Sequence, residues 1–162
     1  MMTDPPLIDD PHAAFLQDGV SMSIGGCGPG AAPTLARGVG CRVAPDRRQV
    51  TVFVSAAQAA PLLACIRANG MIAAVFSQPS THRTVQIKGR DARLVPLAEG
   101  DQALLERYRK AFAADLAPLG FQEVQVQALV TCADVVAVAF TPAEAYVQTP
   151  GPNAGERLGN AR

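Results

Sequence analysis

Residues Phe76 to Gly89 read FSQPSTHRTVQIKG. Pro79 and its polar neighbours interrupt two strand-like runs, Met71 to Phe76 and Arg83 to Lys88. The stretch therefore predicts two strands joined by a tight turn. The turn and second strand carry Ser80, Thr81, His82, Arg83, Thr84, Gln86 and Lys88, a dense set of donors beside an apolar strand. Such a set suits a ligand with a flat body and an anionic end.

Working outward, strand signals recur and helical ones are few. Val20 to Ile24 alternates, then Gly25, Gly26, Gly28, Pro29 and Gly30 break it. Pro33 to Val43 reads as extended, with Gly38 and Gly40 signalling a bulge or a close approach to the backbone. Gln49 to Val54 is a β-branched strand, Ala92 to Leu97 a further one, and Val135 to Phe140 another that continues to Val147. Ser55 is placed to cap an Ala-rich helix that Asn69-Gly70 closes, with Leu62, Leu63 and Ile66 facing the sheet; Pro61 interrupts its pattern. Glu99 to Leu116 has Leu104, Leu105, Tyr108, Phe112 and Leu116 on one face, the longest helix expected. Ala13 to Asp18 suits a short helix, and Phe121 to Cys132 reads equally as helix or strand. Strands that follow one another by short links favour a mostly antiparallel barrel with helices packed outside. No Gly-x-Gly-x-x-Gly follows a first strand, which disfavours a doubly wound dinucleotide fold.

The chain has 162 residues, 49% of them hydrophobic and 17% charged, enough for one domain with a real core. Residues 1–12 are acidic and Pro-rich, read as a flexible arm that is neither a signal nor a transit peptide, and residues 13–162 as the domain. Fourteen basic residues balance fourteen acidic ones, which argues against nucleic acid as the main partner and tolerates self-association. No apolar run approaches the roughly 20 residues of a membrane helix, so a cytoplasmic location is expected by default. Cys27, Cys41, Cys65 and Cys132 form no Cys-x-x-Cys pair, and His12 and His82 are the only histidines. A metal site is therefore not expected, and the thiols read as reduced and mostly buried.

Basic residues fall at strand ends: Arg37 and Arg42 bracketing RGVGCR, Arg83 with Lys88, and Arg157 in the tail. Arginine can grip a phosphate through paired hydrogen bonds. Gly38 and Gly40 would let a planar ring lie on the strand, and Ser80 and Thr81 could add donors. The competing reading is solvated arginines and ordinary turn chemistry. No Ser-His-Asp, Cys-His or paired-carboxylate constellation can be assembled, so no catalytic side chain is assigned.

These residues resemble the pyridoxamine 5′-phosphate oxidase-like family of FMN-binding split barrels, from about Val20 to the C-terminus. RGVGCR is similar to the family strand Arg-x-Val-x-x-Lys that lines the flavin. Val54 and Ser55 fall where the family has a strand-end pair. HRTVQIKG resembles the family's Arg-Gln-Val strand, with Thr84 in place of the glutamine. QTPGPNAGER, Gln148 to Arg157, resembles the last strand and loop. The resemblance implies an antiparallel, Greek-key-like split barrel and a homodimer with FMN at the interface. It implies cofactor contacts from Arg37, Gly38, Val39, Gly40, Cys41, Arg42, Val54, Ser55, Arg83, Thr84, Gln148 and Arg157. Ala59, Ala60 and Pro61 stand where the oxidase has a phosphate-binding Ser-Arg-Lys run, and Asn153 and Gly155 where it holds the pyridoxal substrate. The implied function is thus an FMN-dependent oxidoreductase on another small molecule. A non-catalytic flavin or haem module, with His82 as axial ligand, and a deazaflavin-dependent reductase are the alternatives, with a purely structural protein behind them.

Overall fold

The computed structural model describes residues 4–30 and 32–159. Its elements are α1 (Asp10–Leu16), β1 (Ser21–Gly26), β2 (Thr34–Val43), β3 (Val50–Ser55), α2 (Ala60–Asn69), β4 (Ile72–Ser77), β5 (Thr84–Gly89), β6 (Arg93–Val95), α3 (Asp101–Leu116), α4 (Glu123–Val130), β7 (Val135–Phe140) and β8 (Glu144–Val147). A short 3-10 turn, Ala117–Leu119, follows α3. The strands form one sheet in the order β6-β7-β3-β2-β1-β4-β5-β8, and every pair is antiparallel.

Two short links roll this sheet into a barrel. β7 and β8 lie six strand steps apart in the sheet, about 29 Å if it were flat. Only Thr141 to Ala143 join them, and that link reaches about 14 Å at most. β5 and β6, also near opposite ends, are joined by Arg90 to Ala92. The seam is tied by Ala143 N–H donating to Lys88 O at 2.8 Å and Thr141 N–H donating to Asp91 Oδ1 at 2.8 Å. The strand expected to run through to Val147 is therefore split, its halves bonded to opposite ends of the sheet. Inward residues fill the barrel: Met22, Ile24, Val54, Phe76, Ile87 and Phe140 are buried. Each such side chain contributes about 1.5–3 kcal/mol by leaving water.

Sequence expectations differ from the structure at identifiable places. α2 begins at Ala60 rather than at Ser55, because Pro61 lacks an N–H and suits only a first helical turn. Gly70 closes α2 at φ 69°, its N–H donating to Ile66 O at 2.8 Å, as Asn69-Gly70 predicts. Residues 123–130 resolve to helix. α1 starts at Asp10, ahead of the segment expected, with Asp9 capping it by accepting from His12 N–H at 2.9 Å. Within the segment read as an arm, Ile8 is buried and its carbonyl accepts from Arg47 at 3.3 Å. Cys41 and Cys65 are buried, Cys132 is half-buried and Cys27 is exposed. No helix among the described residues is long and apolar enough to cross a membrane.

Candidate functional site

Strand alternation puts Met22, Ile24, Ala74, Phe76, Val85 and Ile87 inside the barrel and leaves the residues between them outside. The outward side of β1, the first half of β2, β4, β5 and β8 is one continuous face. Three rows cross it. Leu35, Gly25, Ala73, Lys88 and Glu144 are successive cross-strand partners. Beside them run Arg37, Ser23, Val75, Gln86 and Tyr146, with Arg157 bridged to Tyr146. Ser21, Ser77 and Thr84 form the third row, with Ser77 and Thr84 hydroxyls 2.8 Å apart. Glycine, alanine and serine predominate at its centre, so the face is flat.

A groove of about 490 Å³ lies over the first row, a size in the range of small-molecule sites. Leu35, 73% exposed, and Met71, 43% exposed, form its apolar rim. On its other side Arg90 pairs with Glu144 at 3.1 Å, while the Lys88 ammonium lies 5.3 Å from the Tyr146 ring centroid. Glu144 also accepts from the Tyr146 hydroxyl, and that bond followed by Arg90's lowers the Glu144 pKa. The groove thus combines an apolar floor with a cation that has no ion pair among the described residues.

Arg37, Thr84 and Arg157 of the sequence-derived set stand on this face. Arg37 donates to Ser21 Oγ at 3.3 Å and has no ion pair among the described residues. Gln148 N–H donates to Thr84 O at 2.8 Å, and Thr84 N–H donates to Thr149 Oγ1 at 2.9 Å. The tail is thereby folded against the start of β5. Arg37 and Arg157 are five strand steps apart, roughly 24 Å along the sheet.

The remaining residues of that set point elsewhere. Gly38, Val39, Gly40 and Cys41 are buried in this chain's own packing. A Cβ on Gly38 would stand 2.7 Å from Met22 Cβ, and one on Gly40 2.8 Å from Leu105 Cδ2. The register does shift between these glycines, so the bulge is present, but core side chains fill the space expected to seat a ring. Val54 is fully buried. Arg42 faces α3, its Nε donating to Asp101 Oδ1 at 2.9 Å and Nη2 to Asp101 Oδ2 at 3.3 Å. Ser55 Oγ donates to Asp134 Oδ1 at 2.8 Å. Arg83 stacks on Phe15, 4.2 Å from the ring centroid.

The turn between β4 and β5 is held from α3. Ser80 N–H donates to Asp115 Oδ2 at 3.1 Å and Gln78 Nε2 to Asp115 Oδ1 at 3.2 Å; the Ser80 hydroxyl also donates to Asp115. Thr81 Oγ1 donates to Gln78 Oε1 at 2.9 Å. His82 sits exposed on this turn at φ 61°, in the left-handed region that non-glycine residues seldom occupy. Sequence reasoning missed the groove residues Gly25, Leu35, Met71, Ala73 and Glu144, and Tyr146 beside them. The signal for the first four was alternation of small or apolar outward residues along β1, β2 and β4.

No family model matches the chain, and no curated protein matches it in sequence. Solved structures do. Group A Streptococcus HupZ is 12% identical, covers 91% of this chain and 100% of its own, and superposes with a TM-score of 0.55. An F420 reductase is 13% identical over 85% of this chain and 98% of its own, with a TM-score of 0.52. The conserved hypothetical protein Rv2991 from Mycobacterium tuberculosis is 16% identical over 90% and 87%, with a TM-score of 0.50. At these identities the likeness is one of fold. The chain is an antiparallel split barrel, mostly β with packed helices, as the resemblance to pyridoxamine 5′-phosphate oxidase-like proteins implies.

Proposed function

We propose that this chain binds a flavin on the outward face of β1, β2, β4, β5 and β8, as one half of a homodimer. In that role it serves as a flavin-dependent oxidoreductase on a small molecule. The observation that carries the reading is the flat face of Gly25, Ser23, Ala73 and Val75 beside a groove of about 490 Å³, flanked by Arg37 and Lys88, which form no ion pair within 4 Å among the described residues. A tricyclic ring needs a flat apolar bed, and its anionic end needs a cation not already neutralised. The fold shared with an F420 reductase is in keeping with a flavin-type ring.

The groups present fit the ring better than they fit the phosphate of FMN. Ser55 and Ser80 both donate to carboxylates of this chain, so a phosphate would rest on side chains of the outward face such as Arg37. A second copy enters the reading because Arg37 and Arg157 of one chain stand too far apart to touch one flavin. A second copy apposed through this face would supply the missing cation. A bound flavin supplies electron and hydride transfer at its ring; the chain's residues bind, orient and shield it. Gly25 and Ala73 offer the bed, Leu35 and Met71 exclude water at the rim, and Arg37 or Lys88 meets negative charge.

The test is reconstitution of the purified protein with riboflavin, FMN and a deazaflavin, followed by flavin fluorescence and sedimentation. The expected result is saturable binding to a dimer, weakened at least several-fold by Ala73→Trp, which fills the bed. A protein that binds none of the three, or binds them equally well as Ala73→Trp, refutes the reading.

A further inference from the structure

We propose that Asp134 is a specificity-determining residue: its carboxylate fills an anion seat at the end of β3, so that a ligand's phosphate is not held there. The inference deepens the flavin reading and rests on it for the identity of the ligand, but the seat itself is a matter of geometry. Ser55 is paired with Val135 at the β3–β7 edge, and this register brings Asp134 over the turn that leaves β3. Asp134 Oδ1 accepts from Ser55 Oγ at 2.8 Å, and Oδ2 accepts from Ala57 N–H at 2.7 Å. Ala56 N–H donates to the Asp134 carbonyl at 3.0 Å, and Gln58 N–H donates to Ser55 Oγ at 3.3 Å. A hydroxyl and a backbone N–H directed at two oxygens of one anion is the grip a phosphate oxygen pair would receive.

Ala57, Gln58 and Asp134 are exposed while Ser55 lies buried beneath them, so without the Asp134 carboxylate an anion could approach the seat from its outer side. The turn that forms it brings no cation, since residues 56–61 read AAQAAP. An arriving dianion therefore meets a negative charge, and finds the Ala57 N–H and Ser55 hydroxyl already bonded. Asp101 and Asp115 play the same part at Arg42 and at Ser80, so two further donors expected for a phosphate are already engaged by carboxylates of this chain. Wild-type protein should then hardly distinguish riboflavin from FMN, by no more than the few-fold that a solvent-exposed cation such as Arg37 supplies.

The experiment titrates inorganic phosphate into ¹⁵N-labelled wild-type protein, Asp134→Ala and Asp134→Asn, following the Ala57 and Gln58 amides. In Asp134→Ala both amides should shift saturably, with about tenfold or greater tightening of phosphate binding relative to wild type. Asp134→Asn keeps an acceptor while losing the charge, and should lie between the two; it also serves if the alanine variant does not fold. Ser55→Ala in the Asp134→Ala background should abolish the gain. Wild-type amides that respond to phosphate as strongly as the variant's would overturn the proposal, as would variants that do not respond. In parallel, the FMN-to-riboflavin affinity ratio should rise about tenfold in Asp134→Ala. If neither flavin binds either protein while the phosphate response appears, the flavin reading fails and the anion seat stands.

Discussion

Breaking the Arg42–Asp101 pair is expected to destabilise the fold rather than to impair ligand binding. Asp101 opens α3, and its side chain is only 2% exposed, against 33% for Arg42. It accepts from Arg42 through both oxygens and from Ala98 N–H at 2.7 Å. Arg42→Met keeps the aliphatic stem and removes the guanidinium, leaving a buried carboxylate with one backbone donor. Removing one partner of a fully buried pair costs about 3–5 kcal/mol. Water reaches a third of Arg42, so the expected loss is nearer 2–3 kcal/mol, seen as about 4–12 °C in Tm for a domain of this size. The assay is urea denaturation of Arg42→Met, Asp101→Asn and the double variant, with the slope m unchanged and the midpoint lowered. The coupling between the two positions should be about 1.5–3 kcal/mol. A coupling below about 0.5 kcal/mol would refute the reasoning, since distant independent sites give as much. Loss of flavin affinity without loss of stability would return Arg42 to the cofactor site.

Gly89→Ala should cost about 1–3 kcal/mol by overpacking, because its Cβ would lie 2.5 Å from Phe140 Cδ2 in the barrel seam; an unchanged denaturation midpoint would show the seam to be loose. Tyr108→Phe should cost about 1 kcal/mol, since the buried hydroxyl donates to Val20 O at 2.9 Å, and a thermal melt identical to wild type would count against that bond. The Ala57 N–H and then the Ser55 hydroxyl hold the Asp134 carboxyl below its ordinary 3.8. A depressed carboxyl stabilises the fold above its unfolded pKa, and this contribution fades as pH falls through the folded value. Carboxyl NMR should place the Asp134 midpoint below 3.8, and Asp134→Asn should remove that part of the acid loss; a midpoint at or above 3.8 refutes the bonds.

Much of the architecture was legible in local sequence. The alternation of Met22 and Ile24, the β-branched run at 50–54 and the Pro-broken turn after Phe76 specify strands, because a pleated chain with one face buried imposes period two. Gly38 and Gly40 announced a bulge or a close approach to the backbone, and the structure has both. Their missing side chains make room for Met22 and Leu105, which lie 16 and 65 positions away in sequence. Pro61 was read as an interruption of a helix from Ser55, whereas it marks where that helix begins. The candidate site was legible only in part. Arg37 and Thr84 reached the outward face because alternation decides side-chain direction within a strand, and Arg157 reached it through its bridge to Tyr146.

The fate of the donor-rich residues was not written locally. The sequence by itself determined a mostly antiparallel β protein with helices outside it, because periodicity and turn chemistry act over a few residues. Tertiary structure decided that β7 and β8 close the barrel from opposite ends of the sheet. It also decided which donors remain open. Asp101, Asp115 and Asp134 meet Arg42, Ser80 and Ser55 across sequence separations of 59, 35 and 79. A carboxylate so far along the chain leaves no mark near its partner, and only the folded register brings the two within hydrogen-bond reach.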